Sequence, residues 1–107
     1  MKIFLDDERD PVSPFDFVAR DYDSFTWFCS ENRGITFISF DHDLGDCENG
    51  YDCVKWLVQF DIDNHFKILS EEFTFYVHSQ NPVGKKNIES YLSQYLKVRA
   101  GVKNDAT

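Results

Sequence analysis

The sequence lacks three features that would place it in common protein classes. It has only three cysteines, Cys29, Cys47 and Cys53, with no CxxC spacing, so a disulfide framework is not predicted and Cys29 and Cys53 are expected in the core. It has no apolar run of roughly 18 residues and no pattern of a signal peptide. Basic residues number 11 against 19 acidic ones, a net charge of −8, which disfavours non-specific nucleic-acid binding. We therefore expect a reduced, soluble, cytoplasmic protein.

The segment from Ile35 to Gly45 is the most informative part of the chain. Its first six residues, Ile-Thr-Phe-Ile-Ser-Phe, are β-branched, aromatic or small, a composition typical of a strand buried on both faces. Asp41, His42 and Asp43 follow at the point where this strand ends. Because open α/β sheets bind their ligands at the carboxyl ends of strands, these three residues are candidates for binding a metal or transferring a proton.

The remaining sequence predicts alternating short strands and helices. In order, we predict strands at 2–5 and 15–19, a helix from Asp23 or Ser24 to about Asn32, the strand at 35–40, a helix from about Tyr51, a strand at 73–77 and a helix after Pro82. Residues 61–72 are predicted as a loop or a short irregular helix, and the direction of the strand at 15–19 stays open. This order predicts one α/β layered domain over residues 1–100 with at least three parallel strands, followed by a flexible tail at 101–107.

Polar side chains follow three of these strands. Right-handed crossovers would bring the strand ends near Leu5, Phe40 and Val77 to the same edge of the sheet. The residues expected to face one crevice there are Asp6, Asp7, Asp41, His42, Asp43, His78, Ser79 and Asn81. Clustered carboxylates suit magnesium, a hard cation that also binds phosphate oxygens. A histidine titrates near neutrality and can move a proton.

The segment from Ser79 to Lys86 is a candidate phosphate-binding site. It places polar residues and two lysines around a helix start, where unpaired N–H groups attract anions.

Each of these candidate site features also has a purely structural interpretation. Asn81 before Pro82 is a good helix cap, the lysines can be solvated, the histidines can be core residues, and Asp43 can close a tight turn. All of these structural interpretations would have to hold at once on one edge of the sheet, so together they explain the pattern less well than a shared functional site does.

The same residues resemble the receiver domain, the phosphoacceptor module of two-component signalling, and more closely its divergent branch of cyclic-phosphate processing receiver domains. An acid pair follows the first strand, an aspartate the third and a hydroxyl residue the fourth. The segments that carry the resemblance are residues 5–9 (LDDER), 39–45 (SFDHDLG), 50–52 (GYD) and 77–84 (VHSQNPVG). The resemblance implies a three-layer, flavodoxin-like α/β domain with a short, mostly parallel sheet of about four strands.

The resemblance further implies a metal-dependent phosphoesterase acting on cyclic phosphates, either at RNA ends or in cyclic nucleotides. The expected cofactor is Mg²⁺ or Mn²⁺, and the expected partner is a phosphorylated small molecule or an RNA terminus, without a membrane. The residues expected to carry the activity are Asp6, Asp7, Asp41 and Asp43 as metal ligands, Asp41, His42 and His78 as catalytic residues, and Arg9, Ser79, Asn81 and Lys85 as phosphate-binding residues.

Two other functions stay open from the sequence. One alternative is a signalling switch phosphorylated on Asp41. No fifth strand is found, and no lysine at the end of one, although Lys85 offers a substitute; these departures and the additional His42, Asp43 and His78 favour hydrolysis over this alternative. An acidic module that binds a basic protein without catalysis is the other. Trp27, Trp56 and the tyrosine-rich last helix are candidate surfaces for a homodimer.

Overall fold

The computed structural model describes residues 1–45 and 47–105 and contains four strands and three helices in those ranges. The elements are β1 (Lys2–Leu5), β2 (Phe17–Ala19), α1 (Tyr22–Glu31), β3 (Ile35–Phe40), α2 (Gly50–Asp63), β4 (Leu69–Val77) and α3 (Pro82–Asp105). Among the described residues, no helix is both long and apolar enough to cross a membrane.

All four strands are parallel, in the order β2-β1-β3-β4. The strand whose direction was left open, β2, thus runs parallel to β1. The last residues of the three strands that precede the candidate site are level, because Leu5 pairs with Phe40 and Phe40 pairs with Val77. This register explains how residues far apart in sequence reach one edge of the sheet.

The helices pack in chain order, α1 on α2 and α2 on α3. Right-handed crossovers that both step in the same direction along the sheet place α1 and α2 on one face, and α3 packs against α2. That face of the sheet carries the fully buried Ile3, Leu5, Ile38 and Phe40. The predicted flavodoxin-like α/β domain is confirmed, with a parallel sheet of four strands. In the described residues the other face of the sheet is covered by the β1–β2 loop and not by the second helix layer expected of a three-layer domain.

The connection between β1 and β2 contains no helix and runs over the opposite face of the sheet. Its Phe15 ring packs on Phe4 and Phe37, with ring centroids 5.3 and 6.0 Å apart respectively. Arg20 fixes the loop because its guanidinium donates to the backbone oxygens of Asp6 and Arg9. The first residues of the candidate site therefore belong to an anchored loop.

Several boundaries differ from the sequence prediction. Strand β2 begins at Phe17 rather than at residue 15, and α1 begins at Tyr22 after Asp21 as its N-cap. Helix α2 extends to Asp63 and β4 begins at Leu69, so most of the predicted loop at 61–72 is regular structure. The buried Asp61 carboxylate causes this, since its Oδ1 accepts the N–H groups of Ile68 and Leu69 at 3.0 and 3.1 Å. His65 turns the chain back between helix and strand with a positive φ of 58°.

Helix α3 continues to Asp105, through most of the segment predicted as a tail. Arg99 ties this part of the helix to the sheet: it donates to the backbone oxygens of Phe66 and Leu69 at 3.0 and 2.6 Å and forms a 3.0 Å ion pair with Asp61. The last two residues of the predicted tail, 106 and 107, lie outside the described residues.

Candidate functional site

Asp6 is the anchor of the site. Its backbone N–H donates to Ala19 O, which continues the sheet by one residue beyond β1. The side chain is 1% exposed, and its Oδ1 accepts the N–H groups of Glu8 and Arg9 at 2.9 and 2.8 Å. Burial acts to raise the pKa of Asp6, but these N–H donors and the His78 ring lower it below its usual value. Asp6 is therefore a fixed carboxylate anion.

His78 lies one residue beyond β4, where its N–H donates to Phe40 O. Its ring is held on three sides. Nε2 lies 3.0 Å from Asp6 Oδ2, Nδ1 lies 2.8 Å from Ser39 Oγ, and the ring stacks on Phe4 at 4.7 Å between centroids. Because an ionised carboxylate only accepts hydrogen bonds, Nε2 carries a proton in this arrangement, and the Ser39 hydroxyl, which can donate or accept, pairs with Nδ1.

Asp41 lies one residue beyond β3 and is 8% exposed. Its Oδ1 accepts the backbone N–H of His42 at 2.8 Å. Burial raises the pKa of Asp41, and the negative charge of Asp6 adds to this effect against the hydrogen bond from His42. Two buried acids side by side repel each other, and a bound cation would relieve that repulsion.

Together these residues form a group that could hold a metal ion. Ligand atoms of Asp6, Asp41 and His78 all lie within 4.8 Å of one another. They lie beside a cleft of about 320 Å³ that is lined by Asp6, Asp7, Glu8, Arg9, Asp41, Asp43, Gly45 and Gln80. Two carboxylates and an imidazole are donors that divalent cations accept. The residues therefore fit a divalent ion.

A second set of contacts joins the end of β3 to the start of α3. His42 Nδ1 lies 3.0 Å from Asp43 Oδ1, and the same oxygen accepts a long contact from Asn81 Nδ2 at 3.5 Å. The hydrogen bond from His42 lowers the pKa of the exposed Asp43. Asn81 Oδ1 also accepts the N–H of Gly84 at 2.9 Å. The helix-cap interpretation of Asn81 is thus correct, although the same side chain reaches the site.

Of the other predicted site residues, Asp7 and Arg9 lie at the cleft, Ser79 lies in the turn before α3, and Lys85 points elsewhere. Asp7 lines the cleft opposite Gly45, and Arg9 Nε lies 3.3 Å from Asp6 Oδ2. Ser79 Oγ accepts the N–H of Asn81 and so shapes the turn into α3. Lys85 is the exception, because its ammonium lies over the Tyr76 ring, 5.8 Å from the centroid, rather than in the cleft.

Some residues of the site had no role in the sequence prediction. Glu8, Gly45 and Gln80 line the cleft, and Ser39 holds His78. Ser39 had a usable signal, since it is a hydroxyl residue inside an otherwise apolar strand. Gly45 has a φ of +64°, and a Cβ there would lie 2.9 Å from Asp7 Oδ2. This glycine lets the chain turn tightly beside the acid pair.

Comparison with known proteins agrees with this fold. The model of the family described as the cyclic-phosphate processing receiver domain matches residues 1–94 of the 107. The chain belongs to this family. No curated protein and no solved structure matches it. The match spans all four strands and every residue of the cleft.

Proposed function

We propose that the protein is a metal-dependent hydrolase of cyclic phosphates, from RNA ends or from cyclic nucleotides. The observation that carries the proposal is the meeting of Asp6, Asp41 and His78 within 4.8 Å beside a cleft. Membership of the cyclic-phosphate processing family supports the choice of substrate. Mg²⁺ or Mn²⁺ is the proposed cofactor, since both favour carboxylate ligands.

In this proposal Asp6 and Asp41 hold the ion, with Asp7 and Asp43 at the rim of the cleft. When bound, the ion supplies charge that polarises a phosphoryl oxygen and favours deprotonation of water. Arg9 lines the same cleft with half of its side chain exposed, so its guanidinium can bind a second phosphate oxygen. In this proposal the ion and the Arg9 guanidinium together supply the positive charge that stabilises the negative charge developing on the phosphate in the transition state.

His42 is the proposed general acid or base. Its Nδ1 lies 3.0 Å from Asp43 Oδ1, a contact that orients the ring. Both nitrogens of His78 are held by Asp6 and Ser39, so this ring is less free to exchange a proton with substrate. Ser79 and Asn81 shape the turn into α3, which we propose faces the phosphate. Lys85 lies over the Tyr76 ring and has no part in this proposal.

The test is hydrolysis of nucleoside 2′,3′-cyclic phosphates with Mg²⁺ or Mn²⁺, compared between the native chain and Asp41→Asn. Asn keeps the shape of the side chain and accepts the His42 N–H, but it removes a charged ligand. We expect turnover to fall by about 100-fold or more, as for loss of a group that acts in the transition state. Thermal melting with the same metals should show a rise in Tm that the variant loses.

Asp63→Asn is the matched control. It makes the same chemical change on the exposed last residue of α2, at the far end from the cleft, where the side chain contacts Gln59. It should keep both turnover and the metal-dependent Tm. Full turnover in Asp41→Asn, or no metal-dependent turnover of any cyclic phosphate by the native chain, would contradict the proposed function.

A further inference from the structure

We infer that His78 is a metal ligand through Nε2, with Ser39 as the residue that positions it, so that the site prefers Mn²⁺ or Co²⁺ to Mg²⁺. This inference rests on the proposed function for the presence of a metal and deepens it by naming the ion. It also changes the role of His78, which the sequence suggested as a proton-transfer residue.

The spacing of the atoms is the first argument. Two ligands that bind one ion at right angles, each at about 2.1 Å, lie about 3.0 Å apart. His78 Nε2 and Asp6 Oδ2 lie 3.0 Å apart, which in the metal-free protein is a hydrogen bond. An ion bound by both atoms would replace the shared proton. The Asp41 carboxylate completes a group whose ligand atoms all lie within 4.8 Å of one another.

The second argument concerns the proton on His78. A histidine that binds metal through Nε2 must carry its proton on Nδ1 and donate it to an acceptor, which orients the ring. Ser39 Oγ lies 2.8 Å from Nδ1 and is 6% exposed as a residue. A hydroxyl group can donate or accept, so Ser39 Oγ can accept the Nδ1 proton when Nε2 binds an ion. A buried serine at this place has the geometry of a positioning residue.

The hydrogen bonds within the cluster leave one oxygen each of Asp6 and Asp41 available to bind an ion. Asp6 Oδ1 is occupied by two backbone N–H groups, which directs Oδ2 toward His78. Asp41 Oδ1 accepts the His42 N–H, which leaves its Oδ2 for an ion. Arg9 also contacts Asp6 Oδ2, at 3.3 Å, with a half-exposed side chain. A carboxylate oxygen can accept this contact while it binds an ion on its other side.

The choice of ion follows from the donor set. Oxygen ligands alone suit Mg²⁺, whereas an imidazole nitrogen favours transition ions, whose affinity rises from Mn²⁺ to Co²⁺. One nitrogen among two carboxylates therefore discriminates against Mg²⁺. It also predicts a coordination sphere that can be detected spectroscopically without any substrate.

The experiment is calorimetric titration of the metal-free full chain with MnCl₂, CoCl₂ and MgCl₂, together with the visible absorption of bound Co²⁺. We expect the native chain to bind Mn²⁺ at least about tenfold more tightly than Mg²⁺. His78→Asn should lose this preference, with a Kd for Mn²⁺ raised about tenfold or more, and should change the Co²⁺ spectrum. Ser39→Ala, which keeps every ligand, should weaken Mn²⁺ binding by about 10–100-fold.

His65→Asn is the matched control, because it removes an exposed histidine whose left-handed backbone asparagine tolerates. It should match the native chain in both readouts. Equal affinity of the native chain for Mg²⁺ and Mn²⁺, or an unchanged preference and Co²⁺ spectrum in folded His78→Asn, would overturn the inference. So would a failure of all three ions to bind.

Turnover assays on the same samples separate this inference from the proposed function. Selective Mn²⁺ binding through His78 without hydrolysis of any cyclic phosphate would support the metal site and contradict the hydrolase. Hydrolysis supported equally by Mg²⁺ and Mn²⁺, and retained in His78→Asn, would do the reverse.

Discussion

His42 lies so close to Gly84 that a Cβ atom on residue 84 would come 2.3 Å from His42 Cγ. The first turn of α3 and the imidazole therefore share a space that only glycine leaves open. Since Asp43 engages the same ring at Nδ1, His42 is fixed from two sides. The glycine at position 84 is explained by this contact, because no positive φ is required there.

Gly84→Ala should displace His42 and lower turnover of cyclic phosphates by about tenfold or more, which is part of the contribution of a positioned acid or base. Stability should change by less than about 1 kcal/mol, since alanine in a helix offsets part of the clash. Turnover assays and urea unfolding measure the two effects. Gly101→Ala, also in α3 but with nothing within 4 Å of the added Cβ, should keep native turnover. Native turnover in Gly84→Ala would contradict the proposed role of His42 as general acid or base.

Asp41→Asn should make the metal-free protein more stable at neutral pH. Burial and the charge of Asp6 raise the pKa of Asp41 in the folded state above its ordinary value of 3.8. The folded state then holds this proton more tightly than the unfolded chain. The free energy of unfolding therefore falls as pH rises from the unfolded-state pKa to the folded-state pKa of Asp41, and the whole of this loss is present at pH 7. The variant lacks this cost.

Urea unfolding in EDTA at several pH values measures this effect. We expect the variant to exceed the native chain near neutral pH and the difference to shrink toward pH 4. Asp63→Asn, on an exposed helix end, should show no such trend. A variant less stable than the native chain at pH 7 would mean that Asp41 makes stabilising contacts beyond its bond from His42.

The stability of the far end of the domain depends on a buried cluster of Asp61, Tyr95 and Arg99. Asp61 is fully buried; it accepts the Tyr95 hydroxyl at 2.5 Å and pairs with Arg99 at 3.0 Å. Arg99→Met would leave the carboxylate without its counter-ion and should cost about 3–5 kcal/mol. Tyr95→Phe should cost about 1–3 kcal/mol.

Urea unfolding of both variants measures these costs, with Arg33→Met as the control because the hydrogen bond of Arg33 to Asn64 is exposed and long, at 3.4 Å. The site residues lie at the opposite end of the sheet, so metal affinity should not change. A loss of less than about 1 kcal/mol in Arg99→Met would show that Asp61 reaches water or another partner when the arginine is removed.

The strand ends and their acids could be predicted because local sequence determines them. Ile35–Phe40 is a six-residue, mostly apolar strand with an abrupt polar end. A helix between two successive strands makes them parallel, which brings their carboxyl ends to one edge of the sheet. The contact of Ser39 with His78 could not be predicted, since it joins residues 39 positions apart and depends on which face of the sheet each side chain takes. The extension of α2 and β4 depends in the same way on Asp61, a charged residue that composition alone places in a loop. Lys85 was predicted near the phosphate from its place in sequence, but its long side chain turns toward Tyr76.

The stack of His78 on Phe4 makes the histidine a natural reporter. The two rings are parallel to within 1° at 4.7 Å, so the ring current of Phe4 should shift the carbon-bound protons of His78 to higher field than those of His42 and His65. A proton NMR spectrum of the native chain, with His78→Asn for assignment, would therefore isolate this one imidazole among three. Its resonances would broaden when paramagnetic Mn²⁺ binds beside it, while those of the distant His65 would stay sharp.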